Sequence, residues 1–257
     1  MRPSIATVRV HHLVAGRMAP PLSPAIICHV LLLEHPTEGL VLVDSGLGRA
    51  DLADPKRLGP TRHLLRPQAG STAIDAVEAA GFDPADVAHI VLTHLDFDHV
   101  GGAVDFPKAT WHTTSAEWAA ATTDTKAIEK SRYRAPHFAG TREVRAHAGE
   151  GDPWRHGLSA IEVLDGVSLV PMIGHTRGHA AVAVTGESGL VVHAGDAVFD
   201  ASHFDPTLEK VGMLRAFEKS VARIPKRLKG NHEALATLHA DPDTTVVSAH
   251  DTRVFPA

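Results

Sequence analysis

Apolar runs of strand length in this 257-residue sequence repeatedly stop at an imidazole or a carboxylate. Gly39 to Asp44 (GLVLVD) closes on Asp44, and Val87 to Thr93 (VAHIVLT) runs straight into His94. The run ending at Ile173 precedes His175, Leu190-Val191-Val192 precedes His193 and Asp196, and Thr245-Val246-Val247 precedes His250 and Asp251. Short apolar runs bounded by turn residues read as buried strands. Residues just past strand ends gather at one rim of a β scaffold, where loops carry function.

The remaining pattern is mixed. Ala25 to Leu33 reads as a strand, as do Ala109 to His112, Ser159 to Leu164, Val167 to Ile173, Ala180 to Thr185 and Thr244 to Ser248. Thr72 to Ala80 reads as a helix stopped by Gly81, and Ser115 as the cap of a helix through about Ala121. Leu208 to Ile224 reads as an amphipathic helix stopped by Pro225, with a shorter one over Asn231 to His239. Residues 122 to 157 are polar and carry no clear period; within them Lys130 to Phe138 reads as an exposed loop or lid. No Pro/Ser-rich linker divides the chain, so residues 1–257 are read as one domain.

Composition removes several classes. With 44% hydrophobic and 21% charged residues the chain is ordinary globular material. No run reaches the roughly 18 to 20 apolar residues of a membrane span. Met1 to Pro24 lacks the apolar centre of an export signal, and the single cysteine, Cys28, has no internal partner, so the expected compartment is the cytoplasm. A net charge of -5 argues against nucleic acid as a partner. Nineteen histidines against one tyrosine point to metal or acid–base chemistry.

The densest cluster is His94-Leu95-Asp96-Phe97-Asp98-His99, followed by Val100-Gly101-Gly102. Imidazoles and carboxylates converging this closely after a buried strand repel or desolvate one another unless a cation sits among them, which weighs against a plain surface turn. Three further groups follow: Gly174-His175-Thr176-Arg177-Gly178-His179, His193-Ala194-Gly195-Asp196, and Ser248-Ala249-His250-Asp251.

These motifs, in this order and with Leu42-Val43-Asp44-Ser45-Gly46 ahead of them, resemble the metallo-β-lactamase-fold hydrolase superfamily in an HxDxDH variant. The resemblance spans about residues 25 to 255 and implies an α/β fold, an αββα sandwich of two mixed β-sheets flanked by helices. It implies a first metal site of His94, Asp96 and His175, a second of Asp98, His99 and His250, and Asp196 bridging the two. Asp44 is then expected to hold a ligand or the loop behind the metals, and His179 to make a structural hydrogen bond. His11, His12, His89, His193 and His203 match no ligand position; His193 and His203 are kept as outside candidates for substrate contact.

Two departures from the family pattern matter. Asp96 stands where most two-metal members have histidine, making the centre richer in oxygen and about one unit less positive. Zn2+ is the first expectation for the two divalent ions, with Mn2+ or Fe2+ as alternatives, and one weakened site is the variant reading. Length and layout most resemble the lactonase-like branch, including N-acyl-homoserine lactonases. There a tyrosine three residues after the bridging aspartate contacts substrate; here Phe199 occupies that place. The implied reaction is hydrolysis of a small-molecule ester or lactone by a metal-bridging hydroxide, with Asp98 as proton carrier. Phe199, Tyr133 and Arg132 are the expected substrate contacts, with Trp111, Trp118 and Trp154 as weaker ones. Rivals are β-lactam or phosphodiester hydrolysis, a mononuclear-iron oxidoreductase and, last, a non-catalytic metal-binding module. The partner is a small molecule, with no nucleic acid or membrane, acting as monomer or homodimer.

Overall fold

The structure, a computed structural model, describes residues 7–20, 24–64, 66–68, 72–138 and 142–256. Residues 1–6 and 21–23, part of the stretch read as lacking an export signal, lie outside the described residues. The first sheet holds β1 (Arg9–Ala19), β2 (Ile26–His35), β3 (Gly39–Val43), β4 (Arg66–Gln68), β5 (Val87–Val91), β6 (Thr110–Thr114) and β7 (Val144–His147), in the order β4-β1-β2-β3-β5-β6-β7. The second holds β8 (Asp152–Pro153), β9 (Ser159–Leu164), β10 (Val167–Pro171), β11 (Ala180–Gly186), β12 (Gly189–His193) and β13 (Thr244–Val247), in the order β13-β12-β11-β10-β9-β8. Both are mixed: β3, β5, β6 and β7 run parallel beside antiparallel β1, β2 and β4, and β12–β13 is the parallel pair of the second sheet.

Alternation along the strands builds the layers, because successive side chains leave opposite faces. On β2, Leu31 and Leu33 point between the sheets and join Val41, Val43, Val167, Leu169, Val182 and Val184 in one core. Val30 and Leu32 point outward, where they share a core with Ala73 and Val77 of helix α1 (Ala73–Ala79). Helix α2 (Ser115–Thr122) adds Ala120 to that outer layer. Beyond the second sheet, Val170, Val192 and Val246 meet Leu235 and Leu238 of helix α4 (Leu228–His239). The sandwich is therefore helix, sheet, sheet, helix, and β2 is buried along nearly its whole length because both its faces are covered.

Several elements differ from their sequence pattern. β1 gave no continuous apolar run: its sequence RVHHLVAGRMA carries polar residues, and its pairing with β2 shifts register between Val14 and Arg17. β7 (VRAH) is a short edge strand with exposed residues. The helix read over 208–224 is ordered as helix α3 only from Gly212 to Val221, and α4 begins at Leu228 rather than Asn231. Thr114, not Ser115, caps α2, its hydroxyl accepting from Glu117 N at 3.1 Å.

Strand direction then assembles the site. Parallel neighbours end at the same edge, so the residues after β3 (Asp44) and β5 (His94) share a rim, as do those after β12 (Asp196) and β13 (His250). β10 runs with β12, since both are antiparallel to β11, which brings His175 to that edge too.

Candidate metal centre

All seven residues read as ligands are buried and converge in two adjoining groups. In the first, His94 Nε2 lies 3.4 Å from Asp96 Oδ2 and 3.7 Å from Asp196 Oδ2, and His175 Nε2 lies 2.9 Å and 3.2 Å from those same oxygens. In the second, the other oxygen of Asp196, Oδ1, is 3.2 Å from His99 Nε2 and 3.1 Å from His250 Nε2. Asp98 Oδ2 completes it at 3.9 Å and 3.6 Å from those nitrogens. Bonds of about 2.1 Å in a tetrahedral site put neighbouring donor atoms about 3.4 Å apart, so both groups have the size of a cation site.

The hydrogen bonds fit the same reading. His99 Nδ1 donates to Asp44 Oδ2 at 2.8 Å, His250 Nδ1 to the Ile27 carbonyl at 2.8 Å, and His94 Nδ1 to Thr93 Oγ1 at 3.0 Å. Each bond places the ring proton on Nδ1 and leaves the Nε2 lone pair facing the centre. His94 Nε2, His99 Nε2, Asp96 Oδ1 and Asp196 Oδ1 are buried with no hydrogen-bond partner. Four orphaned lone-pair atoms in one place are costly without a cation to satisfy them. Burial, then the nearby His99, brings the His94 pKa down to about 4, so it is neutral at pH 7. Burial pushes the Asp196 carboxyl up, but His250, His99 and His175 around it outweigh that and hold it well below the usual range.

The supporting residues tie strand ends together. Asp44 takes a positive φ of 57°, a strained backbone for a non-glycine. That turn aims its carboxylate at Thr93 N, Thr93 Oγ1 and His99 Nδ1, all at 2.8 Å. His179 donates from Nδ1 to the Met172 carbonyl at 3.1 Å and accepts Asp196 N–H on Nε2 at 2.9 Å, so both its ring nitrogens are engaged and it holds the Asp196 backbone in place. Gly195 has φ +53°, and a Cβ there would stand 2.7 Å from His179 Nε2, which reserves the position for glycine.

Two residues escaped the sequence reading. Thr93 links Asp44 to His94. Glu117, on α2, is fully buried and accepts four hydrogen bonds: Leu95 N (3.0 Å) and Tyr133 Oη (3.1 Å) on Oε1, Thr176 Oγ1 (2.6 Å) and Gly178 N (3.2 Å) on Oε2. It joins the His94–His99 loop to the His175–His179 loop. Its one signal was an acid in the otherwise small and apolar helix SAEWAAAT.

A cavity of about 310 Å³ opens above these two groups. Asp96, Asp98, His175, Asp196 and His250 form its floor, Ile26, Phe97, Phe199, Phe217 and Val221 its apolar wall, and Arg132 and Arg223 its cationic edge. The Phe199 ring is 5.8 Å from the His175 ring and 5.1 Å from that of His250. Arg132 Nη1 donates to Asp96 Oδ2 and lies 2.7 Å from His175 Nε2, while Nη2 donates to the Val221 carbonyl. Lys130 to Phe138 is thus not simply an exposed loop: Arg132 reaches the centre, and Tyr133 and His137 are buried. Tyr133 turns away from the cavity toward Glu117. Trp111 belongs to the core under α1 and α2, Trp118 packs against that core, and Trp154 packs outside the second sheet; none of the three lines the cavity. His193 is buried against the His29 carbonyl at 2.9 Å, and His203 stacks on His232 away from the cavity.

Comparison with known proteins agrees with this architecture. Residues 24–250 match the sequence profile of the metallo-β-lactamase superfamily. A probable metallo-hydrolase of Mycobacterium tuberculosis is 43% identical over 256 residues, covering 96% of this chain and 82% of that protein. An N-acyl homoserine lactonase of Bacillus cereus is 26% identical over 198 residues, covering 74% and 71%. Among solved structures, an N-acyl homoserine lactone hydrolase with N-hexanoyl-L-homoserine at its metal centre superposes with a TM-score of 0.72 at 21% identity, over 96% of this chain and 95% of that one. A dizinc quorum-quenching lactonase superposes with a TM-score of 0.59 at 16% identity, over 88% and 73%. With its motifs, its two mixed sheets flanked by helices and these relatives, the chain belongs to the metallo-β-lactamase superfamily.

Proposed function

We propose that this metal-dependent hydrolase is a binuclear enzyme that cleaves a small ester or lactone. The observation that carries the reading is Asp196, whose two oxygens each lie 3.1 to 3.2 Å from histidines of different ligand groups, at the floor of an apolar-walled cavity. We assign His94, Asp96, His175 and Asp196 to one cation and Asp98, His99, His250 and Asp196 to the other, with Zn2+ as the favoured metal for this nitrogen and oxygen set. When bound, the pair lowers the pKa of a water and polarises the scissile carbonyl.

The chain's own residues supply the rest. Asp98 is assigned to take the proton released as water adds to the carbonyl carbon. It returns that proton to the alkoxide when the carbon–oxygen bond breaks, giving an acid and an alcohol. Phe199 has no donor to offer, and Arg132 is assigned the role instead, because its guanidinium lies at the edge of the first ligand group with further N–H groups directed by its anchor on Val221. Arg132 also answers the departure at Asp96: its positive charge offsets the additional carboxylate that replaces the family's histidine. The apolar wall takes an acyl or alkyl portion of the substrate. We read residues 1–257 as one domain acting on a small molecule; among the described residues no helix is long and apolar enough to cross a membrane.

The test joins metal analysis to a panel of p-nitrophenyl esters, lactones, β-lactams and bis-phosphodiesters. About two metals per chain with ester or lactone turnover is the expected result, with His94→Ala or Asp98→Asn lowering kcat by about 10²- to 10⁴-fold. Turnover confined to phosphodiesters or β-lactams replaces the substrate reading, and one iron with oxygen uptake replaces the reaction.

A further inference from the structure

We propose that His203, Glu218 and His232 form a further divalent-cation site, separate from the centre at Asp196, that clamps the Ala201–His203 turn to α3 and α4. One nitrogen from each histidine and one Glu218 oxygen lie within 4.8 Å of one another. His232 Nε2 is 2.7 Å from Glu218 Oε1, and the His203 ring stacks on the His232 ring at 3.8 Å between centroids. Glu218 is almost completely buried, and its other oxygen accepts Phe199 N–H at 3.0 Å, so the carboxylate is fixed in direction. Both rings are partly exposed and border their own cavity of about 520 Å³.

Two imidazoles and a carboxylate are a common zinc-type donor set with one position left for water. Among the described residues the His203 ring makes no hydrogen bond, so a ring nitrogen is open to a cation. A cation enters between His232 Nε2 and Glu218 Oε1, the proton they share being taken up at His232 Nδ1 or released to solvent. The stacked rings, only 24° from parallel, splay to bring both lone pairs onto it. Of the three basic residues bordering that cavity, Arg215 is held by Asp200 at 2.5 Å and Lys229 by Glu233 at 3.5 Å; Lys219 is the third. Filling the site joins three elements and steadies α3, which contributes Phe217 and Val221 to the cavity wall and fixes the Phe199 backbone through Glu218.

The inference does not depend on how many metals the Asp196 centre holds, because its test is a difference. Purified holoenzyme is titrated with Co2+, followed by visible absorption and metal analysis, in wild type, His203→Ala and His232→Ala. Wild type is expected to bind one equivalent more than either variant, and its Tm to rise with added Zn2+ where theirs does not, while hydrolytic activity is retained. His203→Ala removes only a stacked ring and carries the test if His232→Ala fails to fold. Equal stoichiometry in wild type and His203→Ala, or a Zn2+-induced Tm rise that survives the substitution, overturns the site and leaves His232 as a hydrogen-bond partner of Glu218 only.

Discussion

At the scale of single residues, the proposed chemistry turns on charges placed without water to screen them. Arg132 stands against Asp96 and beside His175, so its removal acts in two opposite directions. Arg132→Ala deletes a positive charge close to the first cation, and the metal is expected to be held about tenfold more tightly in chelator competition. The same variant loses the donor assigned to the substrate carbonyl, and KM is expected to rise at least tenfold. A variant in which both metal retention and KM stay at wild-type values contradicts the assignment. Glu117 is a second such residue. Glu117→Gln replaces an oxygen that accepts two of its four hydrogen bonds with an NH2 group that donates. We expect a loss of about 2–3 kcal/mol in unfolding free energy together with weaker metal binding, read by urea melts and chelator titration. Retained metal affinity in Glu117→Gln would show that the two ligand loops do not need their shared anchor.

At the scale of elements, the segment carrying Arg132 is docked by buried ion pairs as well as by the apolar packing of Tyr133 and Phe138. Glu129 is buried and pairs with Arg177 at 2.9 Å and Arg223 at 3.3 Å, while Lys126 N donates to it at 3.0 Å. Burial alone pushes this carboxyl up; the Arg177 hydrogen bond, the Lys126 amide and Arg223 outweigh it and bring its pKa down to about 2 from 4.5. A folded-state pKa below the unfolded one means that the pairing stabilises fully above about pH 4.5 and fades as pH falls toward 2. Glu129→Gln is therefore expected to cost about 2–3 kcal/mol at pH 7, with the gap from wild type narrowing below pH 4.5. Urea midpoints at pH 7, 5 and 3 check it, and a gap independent of pH would assign the loss to packing instead. This ion-paired docking is also why residues 122 to 157 were unreadable in sequence: partners such as Arg177 and Arg223 lie far along the chain, and no local periodicity reports them.

At the scale of the whole molecule, the layers and the side chains gathered at their rim were legible for one reason, that buried strands and the residues just beyond them are local patterns. β2, β3, β5, β12 and β13 announced themselves as apolar runs because both their faces are covered. β1 did not, since a glycine bulge and polar residues break its run, although it pairs with β2 at eight positions. Resemblance grouped the seven candidate ligands in advance, yet Arg132's approach to Asp96 and Glu117's role between two loops depend on contacts across the fold. Tyr133 shows the converse: its place in a polar segment suited a cavity wall, but burial under α2 turned its hydroxyl to Glu117. The measurement that bears most directly on the whole reading is anomalous diffraction from crystals of the metal-loaded protein. Two cation peaks about 3.5–4 Å apart, one on each side of the Asp196 carboxylate, are the expected result. A single peak, or a pair that Asp196 does not bridge, would contradict the binuclear centre.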